Sequence, residues 1–258
     1  MNRVLLSIEG RIATLKLSRP DSLNAMDGEM IHELHDKIKE IASSDADILI
    51  IQGDGRAFSA GGDIKAMLIN TDDDSFDRLM DLINDMMLTL YTMPKLVISA
   101  VHGSAAGLGF SLALVADHVI AEQSAILAMN FINIGLIPDG GGHFLLKQRL
   151  GETKTKQVIW EGKRLTAHEA HALGLVDDVC MDHAVDAAHR KAAVWLQKPI
   201  EAMIKTKKIM VDSNRAQFIE ILKMEKLGQK KMRHTANHKE GLNAFIEKRN
   251  PIFSTNVK

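Results

Sequence analysis

The feature that most limits the fold of this chain is a change of hydrophobic period near Asp182. Before it, short apolar runs alternate with stretches in which apolar residues recur every three or four positions; after it, only the second pattern continues. Short apolar runs fit strands and the longer spacing fits amphipathic helices, so the chain reads as an α/β body followed by an all-helical tail. We place the division so that a core spans 1–195 and a helical C-terminal region spans 196–258.

Within the body, residues 4–8 and Ile12–Leu17 flank Glu9-Gly10-Arg11 and predict a β-hairpin. Asp27 caps a helix whose inner face is Met30, Ile31, Leu34, Ile38 and Ile41. Strands follow at 48–52 and 96–101, and between them Ser75 opens a helix with Leu79, Ile83, Met86, Met87 and Leu90 turned inward. Residues 103–109 read as a turn feeding a helix through Ala116, with short strands at 119–121, 126–128 and 176–180. A helix is expected over 143–150, and Thr166 with Glu169 makes a capping box for another that Gly174 stops. Three helical runs follow Asp182, at 184–196, 200–211 and from 216 to 226 or beyond. Leu222, Met224 and Leu227 stand there among charged neighbours, which points to packing across a subunit boundary.

Charge excludes some partners. The 32 Lys and Arg nearly cancel the 33 Asp and Glu, so there is no bulk attraction to nucleic acid or to an anionic membrane. The single Cys180 rules out an intramolecular disulfide framework and fits a reducing compartment. Glu9 arrives too early for a secretory leader, and the most apolar segment, 96–121, contains His102 and Asp117 and makes a poor membrane span. We therefore expect a cytoplasmic protein.

Three glycine-bearing stretches carry the chemistry. In Ile134-Gly135-Leu136-Ile137-Pro138-Asp139-Gly140-Gly141-Gly142 an apolar run stops at one carboxylate. Pro138 fixes φ ahead of Asp139, and the glycines allow positive φ and the close approach of a ligand or another backbone. Asp139 is therefore either an acid placed for chemistry or the N-cap of the helix at 143–150. Ala60-Gly61-Gly62 and Ala105-Ala106-Gly107-Leu108-Gly109 each leave a strand and open toward a helix. Unpaired N–H groups at a helix start lie at the positive end of its dipole, and two that converge on one oxygen form an oxyanion hole. The alternative is that small residues there only let strand and helix pack closely.

Other patterns fail on spacing. Gly107 and Gly109 lack a third glycine at position 112, and Gly162-Lys163 lacks a glycine at 157. His32 with His35, and His168 with His171, are three apart rather than the four of a zinc-binding helix, so no metal site is expected. Ser111 with His102 lacks a nucleophile elbow.

With these pieces in place the chain resembles the crotonase family, the enoyl-CoA hydratase/isomerase superfamily of acyl-CoA enzymes. The resemblance runs through Arg19-Pro20 with Leu23-Asn24-Ala25, Ala57-Phe58-Ser59-Ala60-Gly61-Gly62-Asp63-Ile64-Lys65, Val101-His102-Gly103, Ala116-Asp117, Gly135-Leu136-Ile137-Pro138, Leu173-Gly174-Leu175-Val176, and Glu240-Gly241 through to Arg249. It implies an α/β spiral of ββα units with an all-helical C-terminal trimerisation region, in a homotrimer or a dimer of trimers. It also implies an acyl-CoA substrate that brings coenzyme A with it, and no permanently bound cofactor. The family's oxyanion donors fall on the backbone N–H groups of Gly62 and Leu108. Ala25, Ala60, Gly62, Asp63, Ile64, Lys65, Leu108 and Phe131 fall along the CoA and acyl path, and Lys65, Lys248 and Arg249 are candidates for the CoA phosphates.

Hydratases of the family use two glutamates, and here those positions hold Ser111 and Phe131, neither of them a general base. Asp139 falls where dienoyl-CoA isomerases and the ring-epoxide isomerases of phenylacetate degradation carry a catalytic aspartate. The latter branch is the nearer resemblance, sharing Ala105-Ala106-Gly107-x-Gly109 and Gly135-Leu136-Ile137-Pro138-Asp139-x-Gly141-Gly142. One carboxylate moves a proton between two carbons without activated water, so the resemblance implies an acyl-CoA isomerase. Two alternatives are a hydratase or other crotonase reaction on Asp139 alone, and a non-catalytic acyl-CoA-binding or assembly subunit. Phe131, Ile132, Ile134 and Met129 are expected to form an apolar acyl pocket whose desolvation raises the Asp139 pKa toward working pH.

Overall fold

The computed structural model describes residues 2–69 and 72–253. The hairpin forms as β1 (Val4–Glu9) and β2 (Ile12–Leu17), paired antiparallel. α1 (Gly28–Ala42) starts at Asp27, whose side chain accepts the Met30 N–H at 2.9 Å. β3 (Ile48–Gly53) follows, then α2 (Ile64–Ile69), α3 (Asp73–Thr92) and β4 (Leu96–Val101). β3 and β4 are almost unbroken apolar runs because a parallel strand is covered on both faces, and of their residues only Gln52 is not buried. β5 (Ser104–Ala106), α4 (Leu108–Leu114), β6 (His118–Glu122), β7 (Ile126–Ala128), α5 (Gly142–Glu161), β8 (Leu165–Thr166), α6 (Ala167–Leu173) and β9 (Asp178–Cys180) complete the body. Three helices follow, α7 (Ala184–Leu196), α8 (Ile200–Arg233) and α9 (Ala236–Ile246).

The larger sheet runs β1-β2-β3-β4-β6-β9, parallel from β2 onward, and the smaller runs β5-β7-β8. Parallel bridges at Met26–Gly62 and Ser59–Ala105 tie the segment after β3 to α1's approach and to β5. One side of the large sheet, through Leu49, Ile51 and Val97, joins the main core with Met30, Leu34, Met86 and Leu90. The other side, through Ile48, Ile50, Leu96 and Ile98, is closed by α7, whose Ala184, Ala188 and Ala192 recur every fourth residue and let the helix lie close.

Several boundaries differ from the sequence reading. α3 starts at Asp73 rather than Ser75, because Asp72 is the cap and accepts the Ser75 N–H at 2.8 Å. Residues 103–109 are more than a turn, since Ser104–Ala106 form β5. α5 continues past Leu150 to Glu161, through a break at Gly151 (φ 70°, ψ 170°). The runs at 200–211 and 216–226 are one helix of 34 residues. The polar residues between them do not stop it, because Ser213 and Asn214 return their side chains to the Met210 carbonyl at 2.8 and 2.9 Å.

α8 lies antiparallel to α3. Lys226, Lys230 and Arg233 pair with Asp81, Asp77 and Asp73 at 2.6, 2.7 and 3.1 Å. Leu222, expected at a subunit boundary, is buried within its own chain, whereas Met224 and Leu227 are exposed. No helix among the described residues is long and apolar enough to cross a membrane.

Candidate active site

The segment after β3 and the turn before α4 meet edge to edge. The Ser59 N–H donates to the Ser104 carbonyl at 2.9 Å, and the Ala106 N–H donates to the Ser59 carbonyl at 3.0 Å. Contact is tightest at Gly61 (φ 90°), where a Cβ would sit 2.5 Å from the Ala106 carbonyl oxygen and 3.4 Å from the Leu108 nitrogen. Both the backbone angle and the space require glycine. The Met26–Gly62 bridge uses the Met26 N–H on Gly61 (2.7 Å) and the Asp63 N–H on Met26 (3.0 Å), which leaves the Gly62 N–H outside the ladder. Leu108 opens α4, so its N–H has no acceptor within that helix. Gly62, Leu108 and Asp139 all line one cavity of about 370 Å³.

Asp139 is 7 % exposed. Its Oδ1 is buried with no partner among the described residues, and its Oδ2 accepts from Gln229 Nε2 at 3.3 Å. The capping alternative is overturned: α5 begins at Gly142, and the carboxylate at its start belongs to Glu225 of α8. Glu225 Oε2 accepts the Gly141 N–H at 2.7 Å; Oε1 accepts the His143 N–H at 2.9 Å and lies 2.7 Å from His143 Nδ1. Gly141 (φ 80°) is where α8 comes closest, since a Cβ there would fall 2.2 Å from the Phe218 ring. Burial first, and the nearby Glu225 charge second, push the Asp139 carboxyl well above the usual carboxylate range. Ser111 Oγ donates to the Asp139 main-chain carbonyl at 2.8 Å, while the His102 ring lies against the Gly55 carbonyl at 3.1 Å, so the two form no pair.

The apolar wall of the cavity comes mainly from α1, α2 and α3, through Ile31, Met67, Leu79 and Ile83, with Met26 just before α1. Of the four residues expected there, only Phe131 contributes. Met129 belongs to the core, Ile132 packs at Gly162, and Ile134 packs at Gly241 of α9. Asp27 and Asp63 also line the cavity, and both are committed elsewhere. Asp27 caps α1 and pairs with Arg3 and Arg19; Asp63 accepts the Lys65 and Ala66 N–H groups and pairs with Arg19.

The remaining sequence candidates lie off the lining. The Ala25 carbonyl accepts from Arg19, and the Ala60 N–H donates to Leu23. Ile64 opens α2 and Lys65 is exposed beside it. Lys248 and Arg249 follow α9, where Arg249 pairs with Glu240 and Glu247 and holds the Glu240 carboxyl down to about 2.

The tail residues that line the cavity are not the ones named from the sequence, Lys248 and Arg249. Gln229, Arg233 and His238 line the cavity, and Glu225 stands behind Asp139. His238 is 5 % exposed with Nδ1 2.7 Å from the Ile134 carbonyl, and burial lowers its pKa. A signal existed: Phe218, Leu222, Glu225 and Gln229 share one buried seam of α8. A carboxylate and a carboxamide on such a seam require buried partners.

Residues 7–256 match the family model described as enoyl-CoA hydratase/isomerase. YhaR of Bacillus subtilis (strain 168), provisionally named an enoyl-CoA hydratase/isomerase, is 46% identical over 253 residues, which cover 98% of this chain and 99% of that one. The 1,2-epoxyphenylacetyl-CoA isomerase of Escherichia coli (strain K12) is 32% identical over 259 residues, covering 98% and 99%. Among solved structures, an enoyl-CoA hydratase from Mycobacterium avium subsp. paratuberculosis K-10 matches with a TM-score of 0.89 at 30% identity over 98% of each chain.

Proposed function

The chain belongs to the enoyl-CoA hydratase/isomerase, or crotonase, family of enzymes and has its fold, and we propose that within this family it is an acyl-CoA isomerase that moves a double bond with a single carboxylate. The observation that carries the reading is Asp139. Among the acids lining the cavity, it alone has a buried oxygen without a partner, while Asp27 and Asp63 are held by helix starts and arginines. Ser111 and Phe131 provide no second base. A relative named 1,2-epoxyphenylacetyl-CoA isomerase adds support.

In this reading a 3-enoyl thioester places its carbonyl oxygen at the Gly62 and Leu108 N–H groups. Asp139 takes a proton from C2, the C–H electron pair enters a dienolate, and the charge that gathers on the thioester oxygen is held by the two donors. The same proton returns from Asp139 to C4, leaving the double bond between C2 and C3. No water is consumed. A carboxylate whose pKa burial has raised is a stronger base toward a weak carbon acid. Of the three cations weighed for the CoA phosphates, Lys65 is exposed two residues beyond Asp63, which lines the cavity, whereas Arg249 is engaged by Glu240 and Glu247 and Lys248 precedes it; we assign the phosphates to Lys65.

Incubation with trans-3-hexenoyl-CoA and, separately, trans-2-hexenoyl-CoA, with products identified by mass and ultraviolet absorbance, tests this. Conversion of the 3-enoyl to the conjugated 2-enoyl thioester at unchanged mass is expected. Addition of water to the 2-enoyl thioester without migration would replace the isomerase reading with the hydratase one. Asp139→Asn should lower turnover by at least about a hundredfold with acyl-CoA binding retained. Undiminished turnover in that variant would reduce Asp139 to a structural residue.

A further inference from the structure

Glu225 is 2 % exposed and, among the described residues, accepts from α5 and the turn before it: the Gly141 N–H, the His143 N–H and the His143 ring. A helix start is ordinarily capped by a side chain one or two residues ahead of it. Here the acceptor comes from 84 residues further along the chain, and the cost of burying its carboxylate is offset only by these three contacts, so Glu225 and the turn hold each other in place. Asp139, which lines the cavity, stands two residues before the Gly141 that Glu225 holds.

We propose that Glu225 is a positioning residue for the proton transfer: by holding Gly141 and His143 it fixes the turn that aims Asp139 into the cavity, and it sets a carboxylate behind that turn. The inference rests on the isomerase reading, in which Asp139 moves the proton. Gln229, one turn further along the same seam of α8, holds the segment just ahead of that turn by donating to the Ile137 carbonyl and to Asp139 Oδ2.

Around Asp139, α8 presents Glu225 and Gln229, α5 presents His143 to Glu225, and α4 presents Ser111 to the Asp139 carbonyl. His32 of α1, Arg78 of α3, Arg233 of α8 and His238 of α9 line the same cavity, as do Asp27 and Asp63, both already paired with arginine. Glu225 is the charged neighbour that raises the Asp139 carboxyl, adding to its burial. His143, as a donor on Glu225, draws that charge toward itself and tempers it. A base acts when ionised, so turnover falls on the acid side as Asp139 takes up a proton. Removing a like charge behind it moves that fall to lower pH, and strengthening the like charge moves it higher.

The test is the pH dependence of kcat for trans-3-hexenoyl-CoA isomerisation by the full chain, in wild type, Glu225→Gln and His143→Ala. Glu225→Gln should shift the acid limb down by about one pH unit. It should also lower the plateau kcat about three- to tenfold with KM little changed. His143→Ala, which leaves Glu225 charged and less compensated, should shift the limb the opposite way. Opposite shifts are not the signature of mere loosening, which lowers the melting temperature or raises KM. An acid limb unmoved in both variants overturns the inference. If Glu225→Gln does not fold, His143→Ala decides alone: an upward limb supports the inference, and an unmoved or lowered limb overturns it. Should Asp139→Asn retain turnover, the isomerase reading and this inference both fail; with Asp139→Asn inactive and the limbs unmoved, only the role of Glu225 fails.

Discussion

Asp139 sits where the uncharged carboxyl is favoured, and this has a consequence for stability with a definite sign. Its folded-state pKa is raised, by burial first and by Glu225 second, above the roughly 3.9 of an unfolded aspartate. Between those two values the folded chain binds more protons than the unfolded one, so stability falls as pH rises through that window. The favourable contribution is complete below the unfolded pKa and is lost once pH passes the folded one. Asp139→Asn removes the buried charge and keeps an amide oxygen for Gln229 to donate to. It should therefore melt at a higher temperature than wild type at pH near 8, with the gap closing toward about pH 4. Thermal melts of both proteins across that range check it, and a variant that is less stable at pH 8 would show that the carboxylate is better accommodated than its surroundings imply. The variant would exchange activity for stability, as removal of a functional charge commonly does. The residue itself was legible, since proline, a lone acid and three glycines after an apolar run mark a placed side chain. Its neighbour Glu225 was legible only as a polar residue on a buried helical seam, because the turn it holds lies 84 residues away and leaves no local trace beside it.

Elements are placed by what they bury, and α8 is seated by Phe218. That ring is fully buried, with its centroid 4.8 Å from Tyr91 and 4.7 Å from Phe144, and it lies over Gly141. Leu222, Glu225 and Gln229 follow on the same seam, so the contact that holds the helix also sets the two polar groups behind Asp139. Phe218→Ala should cost about 3–5 kcal/mol of stability. Under conditions where the variant is still folded, kcat should fall as well; denaturant titration measures the first and turnover at low temperature the second. Full kcat in a folded but weakened variant would separate the seating of α8 from the aim of Asp139. The difference between legible and illegible elements follows from the same physics. β3 and β4 are covered on both faces and α1 on one stripe, and each pattern is written directly in the run of apolar residues. The cavity wall was illegible because Ile31, Leu79 and Ile83 have the same helical spacing whether they fill a core or line a void. The continuity of α8 was obscured by Asp212, Ser213 and Asn214, whose polarity reads as a break until Ser213 and Asn214 are seen bonding back to Met210.

For the whole molecule, the two sides of α8 have different tasks. Val211, Phe218, Leu222, Glu225 and Gln229 face the body, whereas Ile209, Met210, Met224 and Leu227 are each more than half exposed. At 3.6 residues per turn the exposed set falls on the side opposite the buried one. Phe245 and Ile246 at the end of α9 add to it, also more than half exposed. Single exposed apolar residues are ordinary, but a set confined to one side of one helix and the end of the next marks a contact surface. The homotrimer or dimer of trimers implied by the family resemblance offers this surface a covering, at about 1.5–3 kcal/mol for each large side chain removed from water. Light scattering should then give a mass of three or six times 28.5 kDa for the wild type. Paired Met224→Asp and Leu227→Asp changes should release protomers of 28.5 kDa with unchanged helix content, because neither side chain supports its own chain's core. A wild type that is already monomeric, or a double variant of unchanged mass, would mean that this side of α8 is not the subunit contact. Since Met224 and Glu225 are adjacent on one helix, a contact that steadies the outer side also steadies the inner one. The released protomer is therefore expected to lose kcat before it loses its fold.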